Sequence, residues 1–233
     1  MIDVNQLSFR YSSGKIALDN LSFQIHEGES IGFVGANGAG KTTLLMILAG
    51  IYNFKNGSIF IDELNLQNSL DRKKLPEKLG FIFQNSDDQL FHSTVEEDIA
   101  FGPINLNLPR AEVEKRVNEA IVQMNLSGLE NRPPFQLSGG EKRRAAIAGI
   151  LAMNPKIWLF DEPSIFLDAR SRRELIGIIQ NLPGTKLIAS HDLLLIEKTC
   201  HRIIMMSEGK IIADGPAASI LGNADLLYEY GVS

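Results

Sequence analysis

The stretch "SIGFVGANGAGKTTLLMILAG", residues 30–50, decides the fold. "SIGFVG" reads as a strand, "KTTLLMILAG" as a helix that Gly50 can end, and the loop between them is rich in glycine. Strand, loop and helix in that order form the context in which backbone N–H groups ring a phosphate at a helix N-terminus. Gly35, Gly38 and Gly40 allow the tight turn, with Ala36, Asn37 and Ala39 between them. Lys41 can reach the β and γ oxygens of a nucleotide, and Thr42, followed by Thr43, can ligate Mg2+. The stretch therefore predicts an α/β protein with a parallel-sheet core that holds a nucleotide and its magnesium ion.

Outward from this loop, strands alternate with helices, without repeats or a low-complexity linker. "IDVNQLSFRY" and "ALDNLSFQIH" alternate like half-buried strands about the turn-like "SSGK", and "GSIFIDEL" and "KLGFIFQ" read as further strands. From Asn85 to Pro155 the pattern becomes mostly helical. There "PRAEVEKRVNEAIVQMNL" sets Val113, Val117, Ala120, Ile121 and Met124 on one face. "KIWLFDE" is a continuous apolar run suited to a parallel strand covered on both faces; a helix is expected from about Ala169, then the strand "TKLIASH". "RIIMMSEGKIIADG" reads as a hairpin.

Composition limits what such a chain does. At 233 residues, one domain or a domain with a subdomain is expected. The longest apolar run, "AAIAGILAM", is far short of the roughly 18 to 20 residues that cross a bilayer. "MIDVNQLSFRY" has no basic start or apolar core of a signal peptide, so a cytoplasmic location is expected. A single cysteine, Cys200, excludes an internal disulfide and a cysteine-built zinc site. The net charge of −5 argues against broad binding to nucleic acid or anionic lipid. Attachment to a membrane would require another protein.

Several residues complete the chemistry. Asp161, at the carboxyl end of a buried strand, is the expected second-sphere or direct Mg2+ partner, and Glu162 can orient or deprotonate an attacking water; the alternative is a helix-entry carboxylate beside Pro163. His191 closes "TKLIASH" at a carboxyl edge, where it can bond a γ-phosphate or be a surface histidine. Gln84 closes "KLGFIFQ" and can reach Mg2+ or the water, or be a turn residue. Tyr11 can stack on adenine, or alternate with Phe9 along a strand. In "QLSGGEKRRAAIAGILA", residues 136–152, Ser138, Gly139 and Gly140 open a helix built to receive a second anion, whereas Lys142, Arg143 and Arg144 fit a solvated basic face.

Together these residues resemble the ATP-binding cassette (ABC) family over essentially the whole chain. "GANGAGKT" matches its Walker A, "IWLFDE" its Walker B with the catalytic glutamate, and "LSGGE" its signature motif, which ends on Glu141. Gln84 falls on the Q-loop, His191 on the switch histidine, Tyr11 on the A-loop aromatic and "SIFLD" on the D-loop with Asp168. The resemblance implies one ABC ATPase domain over residues 1–233. Its core, with an N-terminal antiparallel β subdomain, would span 1–85 and 156–233, and a helical signature subdomain 86–155. It also implies hydrolysis of Mg-ATP at a dimer interface, where the signature helix of one subunit caps ATP held by the other. Phe166 stands where the family's D-loop commonly has glycine.

A narrower resemblance follows the Q-loop. "FQNSDDQLFHSTVEEDIAFGPINLNLP" looks like the ATPases of energy-coupling factor importers, the cobalt and nickel type especially. It implies a homodimer, or a heterodimer with a related ATPase, on the inner face of the membrane. A membrane coupling subunit would dock beside Asp87, Asp88, Gln89, Leu90 and Phe91, with a separate solute-binding subunit; the alternative is a polar loop anchored by Leu90 and Phe91. No nucleic-acid partner and no direct lipid insertion are expected. A vitamin importer such as one for biotin, and a non-transport cassette ATPase, are the competing readings.

Overall fold

The computed structural model describes residues 1–232. In chain order these form β1 (Ile2–Arg10), β2 (Ile16–Ile25), β3 (Ser30–Val34), α1 (Lys41–Leu48), β4 (Asn56–Ile61), β5 (Leu64–Asn65) and α2 (Ser69–Arg72). Then come β6 (Leu79–Ile82), α3 (Val95–Asn105), α4 (Arg110–Gln123), α5 (Gly139–Leu151), β7 (Ile157–Asp161) and α6 (Ala169–Asn181). The rest is β8 (Thr185–Ala189), α7 (Leu193–Thr199), β9 (Arg202–Ser207), β10 (Lys210–Pro216), α8 (Ala217–Leu221) and α9 (Ala224–Glu229). Among the described residues no helix is long and apolar enough to cross a membrane.

The chain divides into two compact units, residues 1–75 with 183 onward, and residues 76–182. In the first unit, β2, β1, β4 and β5 form an antiparallel sheet in that order. Leu21, Phe23 and Ile25 are buried at alternate positions of β2, the period expected of a strand with one covered face. In the same unit β3 runs parallel to both β8 and β9, and β10 returns antiparallel on β9. Every residue of β3 and of β8 is buried, as in parallel strands covered on both faces. The β9–β10 hairpin turns on Glu208 and Gly209, both at positive φ.

In the second unit β6 pairs in parallel with β7, from Leu79 opposite Ile157 to Ile82 opposite Phe160. A Cβ at Gly80 would collide with Ile150 of α5, so glycine lets that helix lie directly on β6. The helical segment is as the periodicity predicts: Val113, Val117, Ala120 and Ile121 are the buried face of α4. The unit is wider than the helical stretch 86–155, because β6, β7 and α6 belong to it as well.

Candidate functional site

In the first unit, β3 ends at Val34 and the glycine loop runs directly into α1. Lys41 is buried, and its ammonium donates to the carbonyl oxygens of Gly35 at 2.6 Å and Ala36 at 3.3 Å. The loop closes on itself through Ala39 N–H to Ala36 O at 3.1 Å, and the β9–β10 turn holds it through Gly209 N–H to Ala39 O at 3.0 Å. Its glycines serve different ends. A Cβ at Gly35 would collide with the Met206 carbonyl, and one at Gly40, where φ is 107°, would lie 2.6 Å from Ala17 O. Gly38, at φ 85°, has open space beside it. Ala39 is buried, whereas Asn37, Gly38 and Thr42 are exposed.

Tyr11 lies just past β1 rather than within the strand, and its hydroxyl shares a 2.7 Å hydrogen bond with Thr43 Oγ1 of α1. Its ring meets Phe9 edge-on at 5.2 Å, and Phe9 stacks on Tyr52 at 5.7 Å. This aromatic group therefore stands against the helix that follows the phosphate loop. His191 is not the last residue of its strand: β8 stops at Ala189, and His191 is exposed in the turn before α7. Because β8 pairs in parallel with β3, His191 still stands at the edge from which the phosphate loop departs.

In the second unit, Asp161 ends β7 and is buried, as is Glu162, whose φ of 44° bends the chain sharply after the strand. Gln84 lies two residues beyond the end of β6, with its side chain exposed. Ser138 caps α5 in a reciprocal box: its Oγ accepts from Glu141 N–H at 3.4 Å, and Glu141 accepts from Ser138 N–H at 2.7 Å. The Ser138 hydroxyl and amide hold the Glu141 carboxyl below its ordinary value. Gly140 is required within the chain, since a Cβ there would lie 2.5 Å from Ser171 Oγ. Gly139 is different: its nearest neighbour would be the Phe166 carbonyl at 3.7 Å, an ordinary contact. A cavity of about 320 Å3 opens beside Gln84, Asp87, Gly139, Arg143 and Phe166.

Asp168 caps α6 by accepting from Ser171 N–H at 2.7 Å, and that bond lowers its carboxyl pKa. Phe166 takes φ 63°, so the glycine-like conformation is kept by a bulky residue whose side chain is 84% exposed.

The loop after Gln84 differs from the alternative of a polar loop anchored by both Leu90 and Phe91. Leu90 is buried, but Phe91 is 63% exposed and meets Phe101 edge-on at 5.1 Å, so only one of the two apolar anchors is tucked in. Gln89 turns inward, donating to Ala146 O at 2.9 Å and accepting from Phe83 N–H at 3.3 Å. Asp87 is exposed but pairs with Lys142 at 2.6 Å, and Asp88 is exposed.

The expected solvated basic face is not one. Lys142 reaches Asp87, Arg144 reaches Glu174 at 3.1 Å, and Arg143 is 3% exposed, donating at 2.6 Å to the carbonyls of both Phe83 and Gln84. Burial lowers the Arg143 pKa to about 10, leaving it charged at neutral pH. The signal for Arg143 lay in the spacing: Ala146, Ile147 and Ile150 follow it at helix period on the apolar face. Asp98 was also missed. Its carboxylate, buried in α3, accepts from the N–H groups of Phe91 and His92 and meets His92 Nδ1 at 2.8 Å.

The first unit fits the phosphates of a nucleotide. Its loop is a cradle that a side chain at Gly35 or Gly40 would disrupt, its floor is an ammonium, and an exposed hydroxyl stands on the first turn of α1. Thr42 in the first unit, and the Gln84 amide and Asp161 carboxylate in the second, are each hard oxygen donors of the kind Mg2+ prefers. In the second unit another helix start is opened by Ser138 and two glycines, with Lys142 of its first turn paired to Asp87; two such glycine-rich helix starts are the mark of an ATP-binding cassette. The chain belongs to the ABC transporter family, whose profile matches residues 18–165. It is an ATP-hydrolysing, ATP-binding subunit of that family.

Its relatives narrow the type. The energy-coupling factor transporter ATP-binding protein EcfA of Methanothermobacter thermautotrophicus is 43% identical over 231 residues, covering 97% of this chain and 74% of the relative. The solved structure of CbiO1 from Clostridium perfringens, described as part of the ABC transporter complex CbiONQ, superposes with a TM-score of 0.86 at 33% identity, over 98% of this chain and 93% of that one. A dimeric ATP-binding cassette in a post-hydrolysis state, bound to ADP and Pi, superposes with a TM-score of 0.84 at 27% identity, over 93% and 99%.

Proposed function

We propose that this chain is the ATPase of an energy-coupling factor importer that takes up a transition-metal ion, cobalt or nickel, through separate membrane subunits. It works as a homodimer on the inner face of the membrane, with Mg2+ as the ion that accompanies ATP. The observation that supports the dimer is Gly139: among the described residues nothing lies closer than 3.7 Å to a Cβ placed there, so the start of α5 beside the Ser138 cap is open to a group from outside. A helix start with a serine and two glycines, whose Lys142 is engaged by Asp87, binds phosphate weakly alone, but completes a cage around a nucleotide already held by a partner's lysine.

The roles are assigned residue by residue. Gly35, Ala36, Asn37, Gly38, Ala39, Gly40, Lys41, Thr42 and Thr43 hold the phosphates, and Tyr11 offers its ring to adenine while Thr43 fixes its hydroxyl. Thr42, Gln84 and Asp161 would hold Mg2+, which when bound would neutralise charge on the phosphate oxygens. Glu162 accepts the proton of the attacking water, held in a buried position at a left-handed bend. His191 contacts the γ-phosphate from the carboxyl edge of β8. Ser138, Gly139, Gly140 and Glu141 face the partner's nucleotide, and Asp168 holds the α6 end of the loop between subunits. Residues 86–155 act as the helical signature subdomain.

Docking to a membrane coupling subunit is supported by an apolar surface beside residues 87–91. Phe91 is 63%, Phe101 45% and Ile104 58% exposed, with Phe101 and Ile104 one turn apart on α3. The test is to tag the chain in its native cell, solubilise the membranes gently and identify what copurifies. A multi-spanning subunit with a small solute-binding membrane subunit, and loss of cobalt or nickel uptake on deletion, is the expected result. Recovery with ribosomes or DNA-processing proteins and no membrane subunit overturns the transport reading, and vitamin uptake in place of metal uptake overturns the cargo.

A further inference from the structure

We infer that Arg143 is a positioning residue that makes the Q-loop and the signature helix one rigid piece, so that Gln84 moves with Ser138. Its guanidinium lies five residues beyond the Ser138 cap on α5 and grips two consecutive main-chain carbonyls, Phe83 and Gln84, at 2.6 Å each. These are the first two carbonyls after β6 ends. Gln84 is therefore held by its main chain, while its side chain stays exposed for a ligand.

The flanking turns of α5 add to the grip. Lys142 holds Asp87 at 2.6 Å, and Gln89 ties Phe83 N–H to Ala146 O. The segment 83–89 is thus bound to the helix across more than one turn, and a helix transmits displacement along its axis as a stiff rod.

A purely structural plug is a poor explanation for an arginine here. No carboxylate pairs with Arg143 among the described residues, and its Nε has no hydrogen-bond partner. A buried guanidinium satisfied only by carbonyls costs more than an apolar side chain of similar volume. What the guanidinium offers in return is a planar fork that fixes the spacing of two acceptors.

The proposal rests on the assignment of Gln84 to the nucleotide site, and the test separates the two. Steady-state ATP hydrolysis is measured for the full chain as wild type, Arg143→Gln, Gln84→Ala and the double variant, with amide hydrogen exchange of the peptide covering residues 83–90. Arg143→Gln is expected to lower kcat by about 10- to 100-fold, the scale of a misplaced catalytic group, with KM for ATP within about twofold. Its 83–90 amides exchange at least about tenfold faster, and in the Gln84→Ala background it costs less than about twofold further. Arg143→Lys, which keeps the charge but not the fork, falls between and replaces the Gln variant if that one does not fold. A folded Arg143→Gln with wild-type kcat beside an impaired Gln84→Ala overturns the inference alone, as does an equal loss in both backgrounds. A Gln84→Ala variant with wild-type kcat overturns the assignment of Gln84 and the inference with it.

Discussion

Replacing Gly40 by alanine separates the shape of the phosphate loop from its chemistry, because no functional group is lost. Two costs can be worked from the structure. Gly40 has φ 107°, where a residue with a Cβ is disfavoured by roughly 1–2 kcal/mol. The new Cβ would also lie 2.6 Å from Ala17 O and 2.9 Å from Leu18 Cδ2; the first is backbone and cannot swing away. Forced overpacking of this kind costs about 1–3 kcal/mol, so the total is about 2–5 kcal/mol. For a chain of 233 residues each kcal/mol moves the thermal midpoint by about 2–4 °C, giving a fall of roughly 4–20 °C. Gly38→Ala is the internal comparison. Its φ of 85° carries only the conformational cost, with nothing within 4 Å to collide with, and a stiffer unfolded chain returns about 0.4–1 kcal/mol of it. Differential scanning calorimetry without nucleotide reads both midpoints, and isothermal titration with ATP reads the cradle. Gly40→Ala melting within about 2 °C of wild type, or Gly38→Ala melting below Gly40→Ala, would refute the packing argument.

Glu162→Gln preserves volume at a buried left-handed position and should lower kcat by about 10²- to 10⁴-fold. With Mg-ATP it should also trap, in light scattering, a species of twice the 25.7 kDa chain mass; wild-type turnover would remove Glu162 from the chemistry. Tyr11→Phe keeps the ring and loses the 2.7 Å bond to Thr43, so ATP affinity should stay within about threefold. Tyr11→Ala should weaken it by about 2- to 13-fold, the worth of one aromatic contact, and equal affinities for the two variants would exclude adenine stacking. Burial pushes the Cys200 thiol from an ordinary 9.0 up to about 12. The thiolate fraction at pH 8 then falls from about one in ten to about one in 10⁴, so alkylation of the native protein should be at least about 10³-fold slower than after denaturation. Comparable rates in the two states would contradict the burial.

The features legible in the sequence are those whose causes lie close together along the chain. A glycine loop between a strand and a helix, a serine and glutamate three apart at the start of α5, and an aspartate at the start of α6 are each set within a few residues. The buried run "IWLFD" announced a parallel strand by composition, and "SIGFV" and "TKLIA" were legible as strands. Strand ends were less legible. β6 and β8 stop two residues before Gln84 and His191, because pairing ends where the neighbouring strand ends, and that lies far away in sequence.

By itself, then, the sequence determined the nucleotide-binding class, the pair of carboxylates at the end of β7 and the helix that opens on Ser138, since each depends on local backbone geometry and short spacing. Only the tertiary structure decided which side chains are spent inside the protein. Arg143 and Gln89 are polar residues turned inward to satisfy main-chain groups about 60 residues distant, and Phe91 is an apolar one left outside next to the buried Leu90. Burial is a property of what packs against a residue, and a buried carbonyl will recruit a donor from wherever the fold brings one within reach.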